Sequence, residues 1–196
     1  MAQPLAIVEY RDSWPTDFAT VSRRLRLALG ALALRIEHVG STSVPGLAAK
    51  DVIDVQISVA ALDDDVSHSL GSAGFRAKPH IACDHVPPGA TGSADEWRKL
   101  YFVEAQGDRR ANVHVRQAGR LNERYALLFR DYLRAHTPSA DAYAELKRRL
   151  SVSLAVPDDY ADVKDAAVDL IYLAAEQWAA AGFWRLSELP PSSREH

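Results

Sequence analysis

One run, Val52-Ile53-Asp54-Val55-Gln56-Ile57-Ser58-Val59, constrains this chain more than any other stretch. Strict alternation places Ile53, Val55, Ile57 and Val59 on one side of a strand and Asp54, Gln56 and Ser58 on the other. The apolar side demands a covering layer, so the strand belongs to a sheet packed against helices. The polar side carries groups with chemistry. Asp54 and Gln56 stand two residues apart, project from the same face and so are able to share one ligand.

The flanking segments supply partners for that strand. Arg35-Ile36-Glu37-His38-Val39 alternates and leads into Gly40-Ser41-Thr42-Ser43, and Val44-Pro45-Gly46-Leu47 then reads as a turn. Leu100-Tyr101-Phe102-Val103 and Asn112-Val113-His114-Val115 read as a hairpin around Gly107-Asp108, with Asn112, His114 and Arg116 facing away from the core. Residues 76–97, with Pro79, Pro87, Pro88, Gly89 and Gly92, read as a long mobile loop. The opening Ile7-Val8-Glu9-Tyr10 fits either a strand or an extended arm.

Helical spacing appears elsewhere. Ser13 is the expected cap of a helix carrying Phe18, Val21, Leu25, Ala28 and Leu32, ending near Gly30. Leu62, Val66 and Leu70 form the stripe of a second helix over Leu62–Ala73, stopped by Gly74. From Leu121 onward three more are expected. Tyr125, Leu128, Phe129 and Tyr132 mark one, and Tyr143, Leu146 and Leu150 mark a second capped by Ser139. The third opens at Asp158 or Asp159 and carries Tyr160, Val163, Ala167, Leu170, Ile171, Ala174 and Trp178. The periodicity gives an α+β fold, a small sheet with helices and a helical C-terminal part, as one domain over 1–185 with a flexible tail over 186–196.

Composition narrows the function classes. A net charge of -3 lacks the basic excess of proteins that grip duplex nucleic acid, though a local basic pocket is compatible with it. The single cysteine, Cys83, allows no internal disulfide and suits a reducing compartment. No basic leader precedes an apolar stretch at the N-terminus and no apolar run is long enough to span a bilayer, so the expectation is a cytoplasmic protein without a membrane partner. Sheet edges and the apolar C-terminal helix leave room for a homodimer.

The polar stretch around Gly40 and Asp54 fits nucleotidyl transfer. Gripping a triphosphate needs glycine, exposed N–H groups or small hydroxyls, and a divalent metal beside the α-phosphate is usually held by carboxylates. Here the residues become recognisable. His38-Val39-Gly40-Ser41-Thr42-Ser43-Val44-Pro45-Gly46-Leu47-Ala48-Ala49-Lys50 followed by Val52-Ile53-Asp54 resembles the signature of the GrpB family. Asn112-Val113-His114-Val115, Phe129-Arg130-Asp131-Tyr132-Leu133-Arg134-Ala135-His136, Tyr143 with Leu146-Lys147, and Tyr160 with Lys164 resemble its later motifs. The likeness runs from about Val8 to Trp178. It implies a nucleotidyltransferase-like fold, a small mixed sheet flanked by helices, and related domains occur fused to dephospho-CoA kinase. It implies no settled activity.

The superfamily pattern is Gly-Ser, two carboxylates one residue apart on a strand, and a third on a later strand. Gly40, Ser41 and Asp54 match. Gln56 stands where the second carboxylate is expected, and His114 lies on the strand of the third. The resemblance therefore implies Asp54, Gln56 and His114 as catalytic and metal-binding residues, with magnesium or manganese the divalent ion. An amide and an imidazole make a weaker magnesium set than carboxylates. His38, Gly40, Ser41, Thr42, Ser43, Lys50, Arg98 and Lys99 are the candidates for holding nucleotide phosphates.

Plainer roles stand beside these. Asp54 could end a strand at the surface, His38 and His114 could bond locally, and lysines and arginines are solvated by default. Arg130, Arg134 and His136 face either the pocket or solvent. His80-x-x-Cys83-x-His85 lacks the spacing of a zinc knuckle, and the tryptophans read as core or rim residues. Two functions remain open: a protein that binds a nucleoside triphosphate and transfers a nucleotidyl group to a small-molecule or protein acceptor, and a non-catalytic nucleotide- or phosphate-binding regulatory module that kept the fold. A phosphate-ester hydrolase with a His114-centred metal is a weaker third.

Overall fold

A computed structural model describes residues 6–153 and 157–187. Its centre is a five-stranded mixed sheet built from β1 (Arg35–Val39), β2 (Ile53–Val59), β3 (Arg76–Ala77), β4 (Lys99–Val103) and β5 (Ala111–Gln117) in the order β1-β2-β5-β4-β3. Strand β2 runs antiparallel to β1 and parallel to β5, while β4 pairs antiparallel with both β5 and β3. The register aligns Val39 with Asp54, Asp54 with Asn112, and Gln56 with His114. The polar residues of β2 and β5 therefore share one face.

The other face is the main core. Ile53, Val55, Ile57, Val59, Val113 and Val115 pack with Trp14, Val21, Leu25 and Leu29 of α1 (Trp14–Leu29) and with Val66 and Leu70 of α2 (Asp64–Ser72). Burying a side chain of this kind stabilises by about 1.5–3 kcal/mol, and alternation in β2 follows directly from it. Asp63 caps α2 through its carboxylate on the Val66 N–H, 3.1 Å away. Ser13 makes no such cap: its backbone is already helical, with φ of -75° and ψ of -22°, so its hydroxyl is turned away from the first free N–H groups. The opening segment is an extended arm, tied by a bridge between Val8 and Ala49.

The polar face is covered by three helices, α3 (Leu121–Ala135), α4 (Thr137–Ser153) and α5 (Pro157–Ala180). Helix α4 begins before Ser139, because Pro138 fits a first turn without needing an N–H and the Ser139 and Ala140 amides close onto the His136 carbonyl. Its buried stripe is Ala140, Tyr143, Ala144 and Lys147, so a lysine occupies a core position. Among the described side chains of α5 the buried ones are Val168, Tyr172 and Ala175, whereas Leu170 is 71% exposed and Val163 45%. The small side chain of Ala175 lets α5 approach Leu128 of α3, and that contact sets the buried stripe one step away from the most hydrophobic line. The side chains of Asp158, Asp159 and Tyr160, and the tail beyond 187, lie outside the described residues.

Residues 76–97 are not one open loop. They include β3, a bridge between Cys83 and Arg98, and a short 3-10 helix at Ala94–Trp97 whose Trp97 is 3% exposed. Polar anchoring of this segment, through Asp84, outweighs its proline and glycine content. Among the described residues no helix is long and apolar enough to cross a membrane.

Candidate functional site

The turn after β1 is shaped by Gly40, whose φ of 69° and ψ of -173° lie in a region that L side chains rarely enter. An added Cβ would stand 2.4 Å from Asp54 Oδ2. Glycine here serves a close approach, letting the backbone lie directly against the carboxylate. The Ser43 hydroxyl folds back to donate to the Gly40 carbonyl at 2.6 Å, so it braces the turn. Two arginines of α3 hold the same turn from behind. Arg134 donates to the Ser43 carbonyl through Nε and Nη2 at 3.0 and 2.8 Å, and Arg130 Nη1 donates to the His38 carbonyl at 3.0 Å and Glu37 Oε2 at 2.8 Å.

Asp54 is the carboxylate at the centre of the cleft. Its Oδ1 accepts a hydrogen bond from Asn112 Nδ2 at 2.8 Å and lies 3.9 Å from His114 Nε2, an ion-pair distance rather than a hydrogen bond. Burial pushes the carboxyl upward, but His114, Asn112 and Lys164 outweigh it and hold its pKa below the ordinary value. Burial likewise lowers the His114 imidazole, against the pull of Asp54. The ring packs edge-on against Tyr101, whose hydroxyl donates to Asn112 Oδ1 at 2.7 Å.

Behind His114 lies a buried charge network centred on Asp84. Its carboxylate accepts from Lys99 Nζ at 2.7 Å, from Arg116 Nε and Nη2 at 2.8 and 2.9 Å, and from Asn122 Nδ2 at 3.1 Å. Those cations drive its pKa far below the usual carboxylate range despite burial. The segment expected to be mobile thus plants a deeply engaged carboxylate under the sheet's polar face. Arg116 Nη1 also donates to Gln56 Oε1 at 2.5 Å, and Gln56 Nε2 donates to the Glu123 carbonyl at 3.2 Å. Gln56 is fully buried and its carbonyl oxygen is already taken.

Above this floor lie two contiguous lobes of about 230 and 370 Å³ that share Ser41, Asp54 and Lys164. Together they fall within the roughly 300–1,000 Å³ typical of small-molecule sites. The smaller lobe is lined by Ser41, Thr42, Lys50, Asp54, Asn112, Lys147 and Lys164. Lys50 and Lys164 beside the single carboxylate Asp54 make this lobe electropositive, and Lys147 lies buried in its wall. Burial and Lys164 lower the Lys50 ammonium. Lys147 is 2% exposed and donates to Ser41 Oγ at 3.0 Å and to the Ala48 carbonyl at 2.5 Å. The larger lobe adds Lys99, His114, Tyr125, Phe129, Tyr143 and Asp165.

The structure thus brings together Gly40, Ser41, Thr42, Lys50, Asp54, Lys99 and His114. It sets four other candidates apart. His38 turns to the α1 side, stacked on Phe18 at 4.7 Å with Nε2 3.0 Å from Thr42 Oγ1, and burial lowers its pKa to about 4. Ser43 braces the turn, and Arg98 is exposed beside Asp95. Gln56 is directed into the Arg116 network. Four residues absent from the sequence-derived site complete the cleft: Asp84, Asn112, Lys147 and Lys164. A lysine one helical turn after Tyr143, in line with apolar positions, is a readable signal for Lys147. Nothing local marks Asp84.

A magnesium or manganese site built by the protein does not fit these donors. Gln56 Oε1 is engaged by Arg116, both oxygens of Asp84 are engaged by cations and Asn122, and among the described residues no group of three His, Cys, Asp or Glu side chains could hold a metal ion. The same holds for His80, Cys83 and His85, of which His85 instead pairs with Asp169 at 2.8 Å. Asp54 is left facing the cleft among lysines.

Comparison with known proteins is consistent over the whole region. The family model described as GrpB protein matches residues 4–173. The dephospho-CoA kinase of Mycobacterium tuberculosis is 36% identical over 200 residues, covering 93% of this chain and 48% of that protein. The chain therefore spans about half the length of those kinases. The UPF0157 protein BH1888 of Halalkalibacterium halodurans is 33% identical over 170 residues, covering 85% of this chain and 80% of its own. The crystal structure of conserved protein GrpB from Enterococcus faecalis superimposes with a TM-score of 0.74 at 28% identity, covering 89% of this chain and 99% of that one.

Proposed function

The chain belongs to the GrpB family, and from that premise we propose that its cleft binds a nucleoside triphosphate through lysine ammonium groups rather than through a protein-built metal site. The observation that carries this reading is the convergence of Lys50 and Lys164 with Ser41 and Thr42 on one lobe beside Asp54. Phosphate oxygens take charge-assisted bonds from ammonium groups, which are about twice as strong as neutral ones. The electropositive lobe receives the phosphates, and the larger lobe, with Tyr125 and Phe129, offers an aromatic lining for the nucleoside.

Thermal melting with a panel of nucleoside triphosphates tests this. A ligand at a hundred times its Kd stabilises by about 2.7 kcal/mol. The expected result is an upward shift with triphosphates that shrinks in Lys164→Ala and is absent with nucleosides. Equal shifts for nucleoside and triphosphate would overturn the assignment of the lysine lobe to phosphate.

Nucleotidyl transfer to an acceptor is a second reading, favoured by Asp54 itself. A carboxylate held ionised among lysines opposes anion binding, so a site selected only for binding gains nothing from keeping it. On this reading Asp54→Ala binds triphosphate at least as tightly but loses turnover. Unchanged turnover in that variant excludes a role for the carboxylate and leaves the regulatory module.

A further inference from the structure

We propose that Ser41 is a nucleophile and Lys147 its general base, so that a nucleotidyl group passes through a covalent bond to Ser41 Oγ; this rests on the triphosphate-binding reading above. Nζ of Lys147 lies 3.0 Å from Ser41 Oγ, within proton-transfer reach. Its other contacts are neutral: the Ala48 carbonyl and the Tyr143 ring, whose centroid is 4.5 Å from Nζ. Among the described residues Lys147 forms no ion pair, unlike Lys99, which is bound to Asp84. A lysine meant only to attract phosphate gains nothing from burial in a helix core, since desolvation disfavours its charge.

The surrounding charges act the same way. Burial first, then Lys164 on α5 and Arg148 on α4, lower the ammonium pKa to about 7, while Asp54 on β2 opposes them. Lys50, which lines the same lobe, adds a further positive charge. At neutral pH a substantial fraction of the amine is therefore uncharged. It can keep an N–H on the Ala48 carbonyl and offer its lone pair to the Ser41 O–H.

Ser41 stands where the two lobes meet. Its Oγ attacks the α-phosphorus of a bound nucleoside triphosphate, and the Oγ–P bond forms. The bond from that phosphorus to the bridging oxygen breaks, and pyrophosphate leaves with the electron pair. The serine proton passes to Lys147 Nζ. Lys50 and Lys164 stabilise the departing pyrophosphate. In the second half an acceptor hydroxyl or amine displaces Ser41, which recovers its proton from Lys147, and the acceptor's own proton is lost to solvent.

The test uses the full chain with nucleoside triphosphates isotopically labelled at the α-phosphate, quenched in acid and mapped by peptide mass spectrometry. The expected result is one nucleotidyl group on Ser41, formed faster as pH rises and levelling above about 7. Ser41→Ala yields none, and Lys147→Met, checked for cooperative melting, is slowed roughly a hundredfold or more. The pH profile needs no variant and so stands even where Lys147→Met fails to fold. Absence of label on Ser41 under conditions where melting shows the triphosphate bound overturns the proposal and leaves the binding reading intact. So does label elsewhere, or a rate independent of pH across about two units either side of 7. If no triphosphate binds, the binding reading fails and this proposal falls with it.

Discussion

Replacing Gly40 with alanine tests how the cleft is built. The residue sits at φ 69° and ψ -173°, a region costing a non-glycine residue about 1–3 kcal/mol. Its new methyl would also meet Asp54 Oδ2 at 2.4 Å, Cβ at 2.8 Å and Cγ at 2.9 Å. Those atoms belong to a central strand and cannot retreat as a flexible tip would, so overpacking adds about 1–3 kcal/mol. Gly46 is the internal control. Its φ is also positive, at 78°, but nothing lies within 4 Å of an added methyl, so Gly46→Ala carries the backbone cost alone. Urea unfolding of both variants isolates the contact with Asp54. Gly40→Ala is expected to lose roughly 2–6 kcal/mol and at least about 1 kcal/mol more than Gly46→Ala. In thermal melts of a chain this size, each kcal/mol corresponds to about 2–4 °C. Triphosphate binding should weaken as well, because the turn that carries Ser41 and Thr42 must shift. Equal losses in the two variants would refute the claim that this glycine is required by the carboxylate.

Other consequences follow from the buried groups. Asp84→Ala leaves Arg116 and Lys99 without their counter-charge and should destabilise by about 3–5 kcal/mol in urea unfolding, with faster proteolysis within residues 78–98; a loss below about 1 kcal/mol would contradict a keystone role. His38 has its folded pKa lowered to about 4 from 6.5, so the unfolded chain binds the proton first as pH falls. Stability tied to His38 is complete above about 6.5 and is lost between there and about 4, and unfolding at pH 4.5 against pH 7 should show about 2–3 kcal/mol of loss that a His38→Asn variant lacks. Lys164→Ala should leave stability within about 0.5 kcal/mol, as a partly exposed substitution, while weakening triphosphate binding; unchanged binding would remove Lys164 from the phosphate lobe.

The sheet is legible in the sequence because β2 and β5 alternate without a break, and alternation fixes which side chains share a face. That Asn112, His114 and Arg116 share the face opposite the core follows from that rule, whereas the pairing of β5 with β2 that sets Asn112 beside Asp54 is a tertiary fact. What alternation does not encode is which polar groups already have partners. Gln56 sits on the expected face at the expected spacing, yet Arg116 holds its oxygen, and Arg116 is oriented by Asp84 from a segment rich in prolines and glycines. Asp84 is joined to the site by tertiary contacts between residues far apart in sequence. His38 stands two residues before Gly40, but its position along β1 turns it to the α1 side of the sheet. On α5 the exposed Leu170 outranks Ala175 by hydrophobicity, whereas close helix approach favours the smaller residue.

The most direct test of the lysine-built cleft is a calorimetric titration of a nucleoside triphosphate into the protein, run once with a metal chelator and once with excess magnesium. The account predicts binding in the chelator, weakened by salt as ammonium–phosphate contacts are screened, and little strengthening by magnesium. Binding that appears only with magnesium would contradict it, and would mean that Asp54 and the phosphates together build the metal site that the protein alone does not.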